Sequence, residues 1–128
     1  MKRFALIAAT CLLASAATAD PVSGTWKTQP GDDGAYGHVT VAPCGPAICG
    51  TIAKAFNASG QEIASDNIGK QMIWDMKAKG IGAYGGGKIW APDREKTYKS
   101  KMSLSGNTLK VEGCVLVICR DQTWTRVN

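Results

Sequence analysis

The reactive side chains of this sequence are few, and the sulfurs are the most informative. Five cysteines occur, and four of them form two pairs of equal spacing: Cys44 with Cys49 and Cys114 with Cys119. Zinc sites favour a closer C-x-x-C spacing, and a thioredoxin-type redox centre places C-x-x-C ahead of a helix. Neither arrangement is present, so structural disulfides are expected, and no metal. His38 is the single histidine, read as an ordinary solvated side chain. Asp32-Asp33-Gly34 is a turn signal, since calcium would need several more spaced oxygen ligands. The serines have no base at any arguable spacing. Gly80 to Gly87 is rich in glycine but lacks the strand-to-helix setting and the lysine of a phosphate-binding loop, and reads as a flexible turn. Catalysis and a cofactor are therefore not expected. What remains is an apolar stripe, Met72, Trp74 and Met76, of the kind that forms core or an adaptable wall for apolar ligands.

The cysteine reading depends on compartment. Met1-Lys2-Arg3 precedes a mostly apolar run from Phe4 to Ala16, and Ala17-Thr18-Ala19 gives the small-x-small pattern of a cleavage site. A signal peptide over residues 1–19, cut after Ala19, is expected, which makes the mature protein periplasmic or secreted. The run is too short to span a bilayer, so the mature chain has no membrane span. Cleavage removes Cys11 and leaves an even number of cysteines, as suits two disulfides in an exported protein. It leaves 109 of the 128 residues, one domain over 20–128, and takes the net charge from +5 to +3 by loss of Lys2 and Arg3. That charge is mild and scattered, which argues against nucleic acid.

The elements that must hold these residues are strands. Glycine-rich turns separate many short β-like runs. Gly37 to Cys44 places Val39 and Val41 on one face. Ile48 to Lys54 places Ile48, Gly50 and Ile52 on one face, opposite Cys49, Thr51 and Ala53. Folding these runs about Gly45-Pro46 sets Cys44 across from Cys49, Ala42 from Thr51 and Val41 from Ile52. In the later pair, Cys114 opposite Cys119 sets Val111 across from Gln122 and Leu109 from Trp124. Four cysteines allow three pairings. Consistent parity in two hairpins favours the local bridges, each of which needs a turn, because five residues of straight strand would separate the sulfurs by roughly 16 Å. Phe56 to Gly69 is expected to loop over one mouth of the sheet. Lys70 to Lys79 could be helix or strand and is taken as a strand. Lys88 to Ala91 and Lys96 to Leu104 form a hairpin about Pro92-Asp93-Arg94-Glu95, with Lys99 and Lys101 pointing out.

The final run, Gln122-Thr123-Trp124-Thr125-Arg126, has period 2 and places Gln122, Trp124 and Arg126 on one face. It suits closure against the first strand, Val22 to Thr28, with Arg126 stacked on Trp26. About eight strands result. Val115-Leu116-Val117-Ile118, held at a turn by the second bridge, would cap the barrel mouth, dock a protein partner or fold back onto the domain.

Gly24-Thr25-Trp26-Lys27-Thr28, Cys44-Gly45 with Cys49-Gly50-Thr51-Ile52, Gly87-Lys88-Ile89 with Lys96-Thr97-Tyr98, and the final Gln122 to Val127 resemble a family of exported bacterial proteins. That family is classed as a domain of unknown function and described as lipocalin-like. The likeness covers nearly all of residues 20–128 and departs at Ala91 and Glu95, where the family usually has aspartate before the proline and glycine in the turn. It implies an all-β, small antiparallel β-barrel of lipocalin or calycin type with no established enzymatic activity. It also implies that Arg126 covers Trp26 at the closed end.

The expected function is to bind a small apolar or amphipathic ligand, through Trp26, Met72, Trp74, Met76, Tyr98, Met102, Gln122, Trp124 and Arg126. The alternative is a structural or protein-interaction module of the cell envelope whose interior is filled by these same bulky residues.

Overall fold

The computed structural model describes residues 20–128; the expected signal peptide lies outside them. The described residues form nine strands: β1 (Gly24–Lys27), β2 (Tyr36–Cys44), β3 (Ala47–Phe56), β4 (Glu62–Ile63), β5 (Gln71–Gly80), β6 (Ala83–Ala91), β7 (Lys96–Ser105), β8 (Thr108–Val115) and β9 (Ile118–Arg126). Every pairing is antiparallel. Strands β1 to β3 and β5 to β9 pair in sequence, β3 pairs β5, and β1 pairs β9. The result is a closed eight-stranded barrel, with β4 added outside. Closure leaves the ring with no free edge.

Inward positions follow the period of two. Trp26, Val39, Val41, Ile73, Met76, Leu109 and Trp124 are fully buried, joined by Tyr84, Met102 and Val111. Outward positions of β7, β8 and β9 carry a cross-strand ladder, with Lys101 opposite Glu112 and Glu112 opposite Asp121. Lys101 and Lys110 pair with Glu112, each at 3.4 Å, and Lys110 also pairs with Asp121 at 3.3 Å.

Both disulfides are the local ones, Cys44–Cys49 and Cys114–Cys119. The second hairpin has the expected register, with Cys114 opposite Cys119, Val111 opposite Gln122 and Leu109 opposite Trp124. The first is tighter than expected. Cys44 lies opposite Ala47, Ala42 opposite Cys49 and Val41 opposite Gly50. Gly45 adopts φ 66°, a conformation glycine takes at no steric cost, so Gly45-Pro46 alone closes the turn. A slide of two residues keeps parity, which is why Val39, Val41, Ile48 and Ile52 still face inward.

Four further expectations are corrected. Lys70 to Lys79 is a strand, but its Met-Trp-Met stripe is broken. Asp75 takes φ 55°, and the pairing shifts from Gly50↔Ile73 to Ile48↔Met76 around it. This bulge turns Ile73 and Met76 inward and leaves Trp74 opposite Lys88 on the outer face, half-buried.

The glycine-rich run is mostly strand rather than turn, since β6 begins at Ala83. A Cβ on Gly87 would lie 2.8 Å from the Met76 methyl and 3.0 Å from its Cα. Glycine is there because a neighbouring strand crosses closely, not because the chain turns. Residues 56–69 do not simply arch over a mouth: β4 pairs with Ala55 and Phe56 of β3. His38 is half-buried rather than solvated, with its ring 4.5 Å from Phe56, which in turn stacks on Tyr36 at 4.9 Å.

Candidate functional site: a strapped end and an open rim

Antiparallel order sorts the connections to two ends. The β2–β3, β5–β6 and β7–β8 turns and both ends of the described chain lie together. The β1–β2 loop, the β4 region, the β6–β7 turn and the β8–β9 tip lie at the other end.

The first end is sealed by residues 20–23. Val22 is fully buried, and its carbonyl accepts the Trp26 indole N–H at 2.9 Å. The Arg126 guanidinium lies 4.4 Å from the centroid of the Trp26 ring, and Trp26 and Arg126 are register partners across β1 and β9. Nη1 donates to the Ser23 carbonyl at 2.9 Å and Nη2 to the Pro21 carbonyl at 2.8 Å. Arginine suits this position because a flat, weakly hydrated head can stack and still donate in its own plane. Gly24 is required beside it, since a Cβ would strike the Asn128 carbonyl oxygen and come within 2.8 Å of Arg126 Nη1.

A further tie was not foreseen. Tyr84 donates its hydroxyl proton to the Asp20 carboxylate at 2.5 Å, and the same oxygen accepts the Val22 N–H at 3.0 Å. Burial, then the hydrogen bond to Asp20, pushes the Tyr84 hydroxyl well above its ordinary range. The partners are 64 residues apart, so local pattern carries no sign of the contact.

Above the strapped end the interior is packed with side chains. Met76 lies over Gly87, Trp124 donates its indole N–H to the Gln122 side chain at 3.1 Å, and Ser100 donates to the Glu112 carbonyl at 2.6 Å. Of the nine expected ligand residues, Trp26, Met72, Met76, Met102 and Trp124 are buried. Trp74 is outside, Arg126 covers Trp26, Gln122 is exposed, and Tyr98 is half-buried near the rim.

Two open grooves lie instead against the β8–β9 tip. One, of about 530 Å³, is lined by Lys96, Thr97, Tyr98, Lys99, Cys114, Val115 and Leu116. The other, of about 650 Å³, includes Gly87, Lys88, Lys99, Lys101, Leu116 and Val117. Tyr98 is the only expected ligand residue that borders either one. The lysines were missed as site residues, although parity already put Lys99 and Lys101 on the outer face next to the second hairpin. The tip itself stands out from the domain: Val115, Leu116, Val117 and Ile118 are 57, 90, 95 and 70% exposed. That excludes the possibility that it folds back as core.

A carboxylate oxygen of Glu112 and the sulfurs of Cys114 and Cys119 lie within 4.8 Å of one another. The sulfurs are bonded to each other and offer no thiolate to a metal. His38 lies on the outer face opposite Lys27 and Lys54. Burial, followed by the Lys54 and Lys27 charges, lowers its pKa from the ordinary value.

Residues 24–126 match the family model DUF2147, described as an uncharacterized protein conserved in bacteria. The chain belongs to this family. Its fold is similar to that of a solved protein, HP1028 from the human pathogen Helicobacter pylori, described as belonging to the lipocalin family. The TM-score is 0.67 at 16% sequence identity, over 83% of this chain and 82% of that one. At such identity the likeness shows the fold alone, and the barrel of this DUF2147 protein is lipocalin-like. No curated protein matches the chain. The Glu95 departure noted in the sequence is resolved locally: Glu95 takes φ 52°, the left-handed conformation for which glycine is the ordinary choice.

Proposed function

We propose that this DUF2147 protein is an exported, non-catalytic barrel that binds one small amphipathic ligand at its open rim. The supporting observation is the make-up of the groove between β7 and the tip. Tyr98, Val115 and Leu116 offer apolar surface beside Lys96 and Lys99. An apolar chain with an anionic head, such as a fatty acid, meets both requirements: chain against Leu116 and Tyr98, head against the ammonium groups. The interior is a poorer candidate, because the residues that would line it already fill it. Both disulfides accord with export.

Native mass spectrometry of protein released from the periplasm tests this reading. An adduct lost on mild organic extraction, and restored by dodecanoate, is expected. Bare protein that takes up no dodecanoate would overturn it. The filled interior also favours a second reading, an envelope interaction module with no ligand. Bare protein recovered in a stable complex with another envelope protein would favour that one.

A further inference from the structure

We infer that the β8–β9 tip is a membrane-docking element that inserts into an anionic bilayer surface. The first observation is exposure. Four consecutive large apolar residues project from the rim, and the two at the turn, Leu116 and Val117, are 90 and 95% exposed. Contiguous apolar surface of this kind marks an interaction site.

The second observation is conformational. Leu116 holds φ 54°, a backbone region costly for a bulky residue and natural to Asn or Gly. Val117 does not share that conformation, so a two-residue hairpin turn selected only to fold would carry Gly at 116 with a polar residue such as Asn at 117. Leu116 is held there at a folding cost, and the Cys114–Cys119 bridge immediately behind it pins the strand ends. This combination makes a rigid apolar wedge.

The third observation is charge, and it selects the partner. Lys88, Lys96, Lys99 and Lys101 share groove walls with Leu116, and Lys88, Lys99 and Lys101 also share one with Val117. Lys88, Lys96 and Lys99 make no ion pair among the described residues, whereas Lys101 pairs with Glu112. Of the acidic groups on these strands, Glu112 pairs with Lys101 and Lys110, Asp121 opposite it pairs with Lys110, and Asp93 and Glu95 flank Arg94 in the β6–β7 turn. An apolar tip collared by free ammonium groups is complementary to phosphate headgroups over acyl chains. A protein partner would need an apolar pocket ringed by acidic side chains, a more particular surface than an anionic bilayer offers everywhere.

The inference does not rest on the ligand reading, since the tip could dock whether or not the groove holds an amphiphile. Flotation with vesicles tests it, using protein expressed from the full chain and purified after export. Binding to phosphatidylglycerol–phosphatidylcholine vesicles is expected, at least tenfold weaker on pure phosphatidylcholine. It should fall about fivefold for each lysine changed in Lys88→Gln, Lys96→Gln and Lys99→Gln. The decisive variant is Leu116→Gly with Val117→Asn, which supplies the turn residues the backbone favours. It should melt no lower than the parent and lose vesicle binding at least tenfold. Absence of binding to anionic vesicles, or undiminished binding by the Gly-Asn variant, would overturn the inference. So would parent self-association that the same variant abolishes, without vesicle binding, because the tip's partner would then be a second copy of the chain. Dodecanoate uptake without vesicle binding would refute docking and leave the ligand reading intact.

Discussion

Replacing Arg126 tests whether the strapped end closes the barrel by a shared contact. The guanidinium is 4.4 Å from the centroid of the Trp26 ring and donates to the Ser23 and Pro21 carbonyls. A largely shielded cation–π contact contributes about 1–2 kcal/mol. Two charge-assisted hydrogen bonds at a partly exposed site add ~1 kcal/mol each, at or below the low end of their usual range. Arg126→Ala should then cost about 3–4 kcal/mol. Arg126→Lys keeps a charge that can sit over the ring or donate to one carbonyl but cannot do both, and should cost about 1–2 kcal/mol, or roughly 5–10 °C in Tm for a domain of this size. Trp26→Leu retains much of the apolar volume and should cost about 2–3 kcal/mol, less than the ~3–5 of truncation to alanine. The two residues share one contact, so the loss in the double variant Arg126→Ala with Trp26→Leu should fall short of the sum by about 1–2 kcal/mol. Urea denaturation followed by far-ultraviolet circular dichroism measures all four corners. Strict additivity would refute the reasoning and reduce Arg126 to a surface arginine.

Gly87→Ala should cost about 1–3 kcal/mol, because the new methyl meets the Met76 backbone as well as its side chain. Gly85→Ala, whose Cβ would make only ordinary contact with Lys79 at 3.5 Å, should cost less than about 1 kcal/mol in the same urea titration. Opening Cys114–Cys119 as the paired serine variant should cost about 2 kcal/mol, the loop-entropy figure for so short a loop, measured by thermal melting. His38 gives a pH signature. Its folded pKa lies below the ordinary 6.5, so below that pH the unfolded chain binds the proton more readily. Its stabilising contribution is complete above pH 6.5 and declines as pH falls toward the lowered folded value. Melting between pH 7.5 and 5.5 should therefore show a larger loss for the parent than for His38→Gln. Equal losses would remove His38 from the account.

The closed eight-strand barrel was legible because parity and turn chemistry agree over most of the chain. The Cys114–Cys119 hairpin is the clearest case: its register follows from pairing the cysteines, and Leu109, Val111 and Trp124 then fall into the interior, although Gln122 is exposed. Trp26 over Arg126 was legible for the same reason, two ends of a curled sheet carrying complementary side chains on one face. Trp74 was not. An aspartate at φ 55° reverses the alternation between Ile73 and Met76, and nothing in Trp74-Asp75-Met76 distinguishes a bulge from a regular strand. Gly87 misled in the opposite direction, because a glycine that admits a neighbouring methionine looks like one that turns the chain. The Asp20–Tyr84 bond and the lysine collar were illegible for a common reason: each joins residues far apart in sequence, whose meeting depends on the assembled barrel. Ligand choice was assigned to the bulky inward set, and the packing of that set moves the candidate site outward to the rim.

The most direct test of that displacement is a ¹⁵N–¹H correlation spectrum recorded while dodecanoate is titrated into the protein. Trp26 and Trp124 report on the interior through their indole N–H groups, and the amides of Lys96, Lys99, Val115 and Leu116 report on the rim. Saturable shifts at the rim amides with both interior indoles unmoved are the predicted result. Large shifts of the Trp26 and Trp124 indoles with a silent rim would contradict it and put the ligand inside the barrel.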